Sequence, residues 1–152
     1  IKAGAEVIQL FDSWAGLLDD VQFIKWYIEP TKKIVSELKS YNPNIRIIGF
    51  PRNVSIENAF LYAKNTGVDC ISIDYNIDIK DMKNFQKIIP VQGNLHPETL
   101  IKGGVSMKNS CLNIMSNLID RAHIFNLGHG ILPNTPIQNV SELVNLVKNF
   151  KK

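Results

Sequence analysis

The sequence predicts an α/β fold built on a parallel sheet, and three observations predict it. Five short apolar runs recur along the 152 residues, each followed by a segment of helical periodicity. The runs are apolar on both faces, as strands covered by helices on two sides must be. The intervening segments supply the crossovers that parallel neighbours need. Two architectures satisfy this pattern, an open doubly wound sheet and part of a (β/α)8 barrel. Both place ligands at the C-terminal ends of the strands.

Each element has its own reason. Ile1-Lys2-Ala3-Gly4 reads as the last turn of a helix with Gly4 as its stop, so the chain is expected to start inside a domain, its true N-terminus lying upstream. Glu6 to Phe11 is the first strand, and Asp12-Ser13-Trp14-Ala15-Gly16 the turn after it. Leu17 to Ile28 reads as a short helix with Phe23, Trp26 and Tyr27 in apolar contact. Pro30 fits the first turn of a separate helix reaching Ser40, with Ile34, Val35 and Leu38 on one face. Ile45 to Phe50 is the second strand, ended by Pro51.

Ser55 is the expected N-cap of a helix to Asn65, with Ile56, Ala59, Phe60 and Ala63 inward and Gly67 closing it. Asp69 to Asp74 is the third strand, and Asp78 caps a helix from Ile79 to Gln86. Pro90 is awkward in a central strand, so the fourth strand, Ile88 to Gln92, effectively begins near Val91. Pro97 starts a short helical turn to Ile101, which Gly103-Gly104 breaks. Ser106 to Arg121 is a long helix burying Cys111, Ile114, Met115, Leu118 and Ile119. The fifth strand climbs to Leu127, and a last amphipathic helix spans Val140 to Phe150.

Composition narrows the function classes. Hydrophobic residues at 45% and charged residues at 20% are ordinary for a globular chain. A net charge of +3 suits an anionic ligand but falls far short of the basic stripe that nucleic acid requires. Cys70 and Cys111 show no CxxC or metal spacing, so reduced thiols and a cytoplasmic setting are expected, with no metal site. No apolar run reaches the roughly 18 residues of a membrane span. Neither GxGxxG nor GxxxxGK[ST] follows a strand, which disfavours nucleotide-phosphate cradles.

The strand ends carry the candidate chemistry. Their ends and turns hold Asp12-Ser13-Trp14, Phe50-Pro51-Arg52-Asn53, Asp74-Tyr75-Asn76, Gly93-Asn94-Leu95-His96 and Gly128-His129-Gly130. In the last, two glycines flank one titratable group. They are expected to let the backbone turn sharply and approach a bound molecule, with His129 presented outward.

Four segments carry a family resemblance: Gln9-Leu10-Phe11-Asp12-Ser13-Trp14-Ala15-Gly16, Gly67-Val68-Asp69 with Ile73-Asp74, Val91-Gln92-Gly93-Asn94-Leu95-His96-Pro97, and Phe125-Asn126-Leu127-Gly128-His129-Gly130-Ile131. In these the chain resembles the C-terminal part of the uroporphyrinogen decarboxylase family over essentially its whole length. The resemblance implies a partial (β/α)8 barrel whose five C-terminal βα units are present as one portion of a single domain. It implies an enzyme of haem and porphyrin biosynthesis that removes the four acetate carboxyl groups of uroporphyrinogen as CO₂, giving coproporphyrinogen with no metal and no organic cofactor. It also implies a homodimer. The family's two arginines, catalytic aspartate and substrate-binding tyrosine would precede this segment, so no catalytic residue is assigned here. Ser13 and His129 match substrate-contacting positions, and Phe11 matches a residue lining the apolar floor of the cleft. His96 stands where the family usually carries an acidic residue and is given no role.

Decarboxylation needs a place for electrons to go, and a protonated pyrrole provides it. A carboxylate ~4 Å from that cation at an effective dielectric of ~20 is worth about 4 kcal/mol, roughly a thousandfold in rate. Ser13 and His129 can bind carboxylates but cannot replace this term, so the segment alone is expected to be inactive. Plainer roles exist for the same residues: Ser13 as a helix cap, His129 bonded to a backbone carbonyl, Asp12 as a structural cap, Asp74 fixing a loop, Arg46 paired with a carboxylate, and Trp14 and Trp26 as packing residues. Arg52 could meet an anionic substrate. Two other functions compete: a corrinoid-dependent methyltransferase of the same superfamily, which would carry zinc on His and Cys, and a truncated, non-catalytic tetrapyrrole-binding remnant.

Overall fold

The computed structural model describes residues 1–151, and the chain divides into two compact units. One comprises Ile1–Ser72 with Lys87–Pro90; the other comprises Ile73–Gln86 and the chain from Val91 onward. The class is α/β as expected, with five strands alternating with helices and every strand pair within a unit parallel.

The first unit is built on β1 (Val7–Asp12), β2 (Arg46–Pro51) and β3 (Cys70–Ser72). β1 and β2 run in register from Val7 opposite Arg46 to Asp12 opposite Pro51, and β2 meets β3 with Ile48 opposite Cys70. Strand β3 is three residues long rather than the six expected from Asp69 to Asp74. Asp69 instead ties neighbouring elements together. Its carboxylate accepts the Ile47 N–H at 2.9 Å and ion pairs with Lys39 at 3.1 Å and Arg46 at 3.4 Å. Arg46 is thus paired as the sequence suggested.

A short 3₁₀ turn (Ala15–Leu17) follows β1, and then α1 (Asp20–Phe23) opens with a reciprocal capping box between Asp19 and Gln22. The expected break before Pro30 does not occur. A π-helical turn (Ile24–Ile28) joins α1 directly to α2 (Glu29–Tyr41). Pro30 has no N–H to give and its ring would collide with the carbonyl four residues back. The wider turn, in which the Glu29 N–H reaches the Ile24 carbonyl, lets the helix pass through the proline. Phe23 and Tyr27 are buried as expected, but Trp26 is 63% exposed on the outer side, and Ile34 also faces out. Helix α3 (Ile56–Asn65) is capped by Ser55, whose Oγ accepts the Asn58 N–H at 3.1 Å. Its fully buried Tyr62 stacks on Tyr27, ring centroids 5.1 Å apart, over Gly49, where any side chain would strike the Tyr62 ring.

The second unit contains α4 (Ile79–Phe85), β4 (Val91–Gln92), α5 (Pro97–Lys102), α6 (Gly104–Leu118), β5 (His123–Ile124) and α7 (Ile137–Asn149). β4 begins at Val91, where the proline argument put it. Val91 lies opposite His123 and Gln92 opposite Ile124. Regular pairing in β5 stops three residues before the expected end, but a bridge between Leu95 and Leu127 continues the line. Gly103 and Gly104 both have positive φ, 63° and 58°, separating α5 from α6. Helix α6 buries Met107, Cys111, Ile114, Met115 and Leu118. Gln86 ties α4 to the end of α6, its side-chain amide donating to the carbonyls of Leu118, Arg121 and Ala122. Among the described residues no helix is long and apolar enough to cross a membrane.

Candidate functional site

The turn after β1 is held from within and from its neighbour. Asp12 Oδ1 accepts the Trp14 N–H at 2.8 Å, so this carboxylate shapes the turn, the structural role expected for it. The backbone of Arg52, in the turn after β2, then clasps the loop on both sides of Ser13. Arg52 N–H donates to the Asp12 carbonyl at 3.2 Å, and Gly16 N–H donates to the Arg52 carbonyl at 3.1 Å. Gly16 is required by this approach, since a Cβ there would fall on the Asn53 carbonyl. Asn53 takes φ 57°, the left-handed conformation that asparagine tolerates better than most residues.

Ser13 is exposed on this clasped loop and caps no helix: the 3₁₀ turn begins at Trp14 without a side-chain cap, and α1 is capped by Asp19. Among the described residues no intramolecular hydrogen bond engages its hydroxyl. A hollow of about 120 Å³ is bounded by Ser13, Trp14, Gly16, Leu17, Arg52 and Asn53. Phe11, at the end of β1, is 69% exposed with its ring edge-on to Phe50 at 6.3 Å between centroids. Trp14 is 72% exposed, so the packing role expected of it is not the one it has; its indole borders the hollow.

In the second unit, the turn bearing His129 is anchored to Leu95, three residues beyond β4. Leu95 N–H donates to the Asn126 carbonyl at 3.0 Å, and Gly128 N–H donates to the Leu95 carbonyl at 2.8 Å. The flanking glycines differ from expectation. Neither has a positive φ. Gly128 is needed because the chain passes against the backbone of Tyr75, whereas Gly130 faces open space. His129 is half-buried, and its ring makes no hydrogen bond among the described residues.

Sequence reasoning missed what surrounds this turn. Tyr75 packs against His96, the two rings tilted by 49° with centroids 4.2 Å apart. His96 Nδ1 accepts the Glu98 N–H at 3.1 Å and so caps α5, leaving Nε2 as the proton-bearing nitrogen of the neutral ring. The only sequence signal was aromatic residues at two strand ends. Asn94, buried in the same unit, donates to the carbonyls of Asp74 and Ile77 at 3.0 and 2.7 Å, fixing the loop after β3. The cysteines lie elsewhere. Burial pushes the thiols of Cys70, in β3, and Cys111, in α6, up to about 12 and about 11. Among the described residues no three His, Cys, Asp or Glu side chains gather into a metal-binding group.

Each turn presents a side chain able to donate a hydrogen bond: at Ser13 a hydroxyl with no intramolecular partner among the described residues, and at His129 an imidazole. The uroporphyrinogen decarboxylase family model matches residues 1–150. A uroporphyrinogen decarboxylase of Orientia tsutsugamushi (strain Boryong) is 47% identical over 151 residues, which is 99% of this chain and 44% of that protein. One from Wolbachia sp. subsp. Brugia malayi (strain TRS) is 47% identical over 149 residues, 98% of this chain and 42% of that protein. One from Novosphingobium aromaticivorans is 39% identical over 153 residues, 100% of this chain and 45% of that protein. The chain therefore spans less than half the length of these curated relatives.

Proposed function

The chain belongs to the uroporphyrinogen decarboxylase family, and from that premise we propose that it supplies part of the substrate cleft of a cofactor-independent carboxy-lyase. The reaction removes the four acetate carboxyl groups of uroporphyrinogen to give coproporphyrinogen. The complete enzyme works as a homodimer in the cytoplasm.

Within this segment, Ser13 donates its hydroxyl to one substrate carboxylate and His129 donates an N–H to another. The second bond strengthens when the imidazole is protonated, because charge-assisted hydrogen bonds are roughly twice as strong as neutral ones. Phe11 offers apolar surface to the macrocycle. None of the three supplies the carboxylate that would stabilise a protonated pyrrole. The segment therefore binds and orients, and the proton chemistry belongs to residues outside it. The observation that carries this reading is the pairing of an unengaged hydroxyl with the FDSWAG motif: Asp12, Gly16 and the Arg52 backbone brace the loop on both sides of Ser13.

Uroporphyrin, the oxidised octacarboxylate, is the probe. Its fluorescence titration with the 152-residue chain is expected to saturate, Ser13→Ala and His129→Gln each weakening the affinity severalfold. No CO₂ is expected from uroporphyrinogen incubated with this chain. Absence of saturable uroporphyrin binding, or decarboxylation by the segment alone, overturns the proposal.

A further inference from the structure

Arg52 is placed as no other arginine of the chain is. There are three, Arg46, Arg52 and Arg121. Arg46 is ion-paired with Asp69, and Arg121 reaches the Gln86 carbonyl at 3.4 Å. Arg52 Nε is buried and has no hydrogen-bond partner among the described residues. A guanidinium is charged at any working pH and carries five N–H donors and no acceptor. Leaving one of those donors dry is costly unless something arrives to accept from it.

The hollow described above says what could arrive. Arg52 and Ser13 both line it, and its volume of about 120 Å³ is that of about four liquid waters. That accommodates the carboxylate end of a short side arm. The nearest acidic residue of the loop, Asp12, already commits its Oδ1 to the Trp14 N–H. The arginine is held by its own backbone: its N–H and C=O bond to Asp12 and Gly16, one on each side of Ser13. The side chain therefore starts from a fixed point beside the serine hydroxyl, the preorganisation that favours bidentate carboxylate binding.

We propose that Arg52 and Ser13 form one subsite, in which the guanidinium and the hydroxyl together bind a single carboxylate arm of the tetrapyrrole. This deepens the reading of Ser13 given above and rests on it. Arg52 supplies the charge and most of the affinity; Ser13 supplies direction.

The experiment compares uroporphyrin binding by the 152-residue chain and its Arg52→Gln, Arg52→Lys and Arg46→Gln variants. Arg46 is a control of equal charge at the start of β2, roughly 20 Å away along the strand direction. Arg52→Gln is expected to weaken binding at least tenfold, Arg52→Lys to recover part of that loss, and Arg46→Gln to leave affinity within twofold. Equal losses for Arg52→Gln and Arg46→Gln mean general charge attraction and overturn the subsite, as does wild-type affinity in Arg52→Gln. If the unmodified chain does not bind uroporphyrin, the tetrapyrrole reading falls and the subsite with it. Should Arg52→Gln fail to fold, the unmodified chain decides. With ¹⁵N-labelled arginine, the Arg52 Nε–H resonance shifts on adding uroporphyrin while those of Arg46 and Arg121 stay, or it does not move and the proposal is wrong.

Discussion

Gly128 packs directly on the backbone of Tyr75: a Cβ at Gly128 would lie inside contact distance of the Tyr75 amide nitrogen, Cα and Cβ. Two turns of the second unit are thereby locked together one residue before His129. Gly128→Ala is expected to destabilise the chain by about 1–3 kcal/mol, the usual cost of overpacking where backbone must move. Uroporphyrin affinity should fall with it, because His129 is displaced. Gly130 faces open space at an ordinary φ, so Gly130→Ala should change neither quantity appreciably. Urea unfolding and fluorescence titration of both variants read this directly, and equal stability of the two would contradict it.

Asp69 ties three elements of the first unit through one carboxylate. Burial works against its ionised form, but the Ile47 N–H, Lys39 and Arg46 outweigh it and hold its pKa below the usual carboxylate range. A depressed carboxylate stabilises the fold above its unfolded pKa, and that stabilisation is lost as the pH falls through the folded value. Asp69→Ala leaves the Ile47 N–H without its acceptor and Lys39 with only the Gly67 carbonyl, and should cost about 1–3 kcal/mol at pH 7. The deficit should shrink as pH drops below ~4. A deficit that stays constant from pH 7 to pH 3 in urea titrations would refute the assignment.

His123, at the start of β5, works in the other charge sense. Burial pushes its pKa below the ordinary imidazole value, although its Nε2 contact with the Gly93 carbonyl at 2.6 Å partly opposes this. The folded state thus prefers the neutral ring while the unfolded state protonates near pH ~6.5. Stability should be full above that pH and decline as the solution is acidified through it. His123→Gln keeps a donor toward Gly93 without a titratable ring. It should show a smaller difference in urea midpoint between pH 7.5 and pH 5 than the unmodified chain; an undiminished difference would assign the acid sensitivity elsewhere.

Cys70 and Cys111 are 5% and 0% exposed, and burial raises both thiol pKa values. The thiolate is the nucleophile, so both should be inert in the folded chain. Ellman's reagent at pH 8 should register almost no thiol under native conditions and two in guanidinium. Rapid native labelling of either would mean the β3 or α6 packing is wrong.

How far the sequence could be read depended on the kind of signal. Apolar runs and glycine or proline stops revealed the succession of strands along the chain, the start of β4 at Val91 and the break at Gly103-Gly104, because these are local steric facts. The core face of α6 was legible from its spacing. Tyr62 was not, since its burial depends on Gly49, a residue on another element. Pro30 misled because a proline usually begins or ends a helix, and the π-helical detour leaves no compositional trace. At the turns, Asp12 was rightly given a structural role. The Arg52 clasp and the Tyr75–His96 ring contact were invisible because they join residues distant in sequence through backbone hydrogen bonds and ring packing.

That detour has a numerical consequence. The turn from Ile24 to Ile28 holds one residue more than a regular helix would count, and each residue rotates an α-helix by about 100°. With a single codon lost there, either regular pairing returns and the Pro30 ring meets the carbonyl four residues back, or the wide turn persists and the flanking segments rotate against each other by that angle. In the second case Phe23 would turn away from Tyr27, on which it now packs. The arithmetic of this one segment, and not merely its chemistry, is therefore under constraint: it should accept changes of residue type far more readily than changes of length.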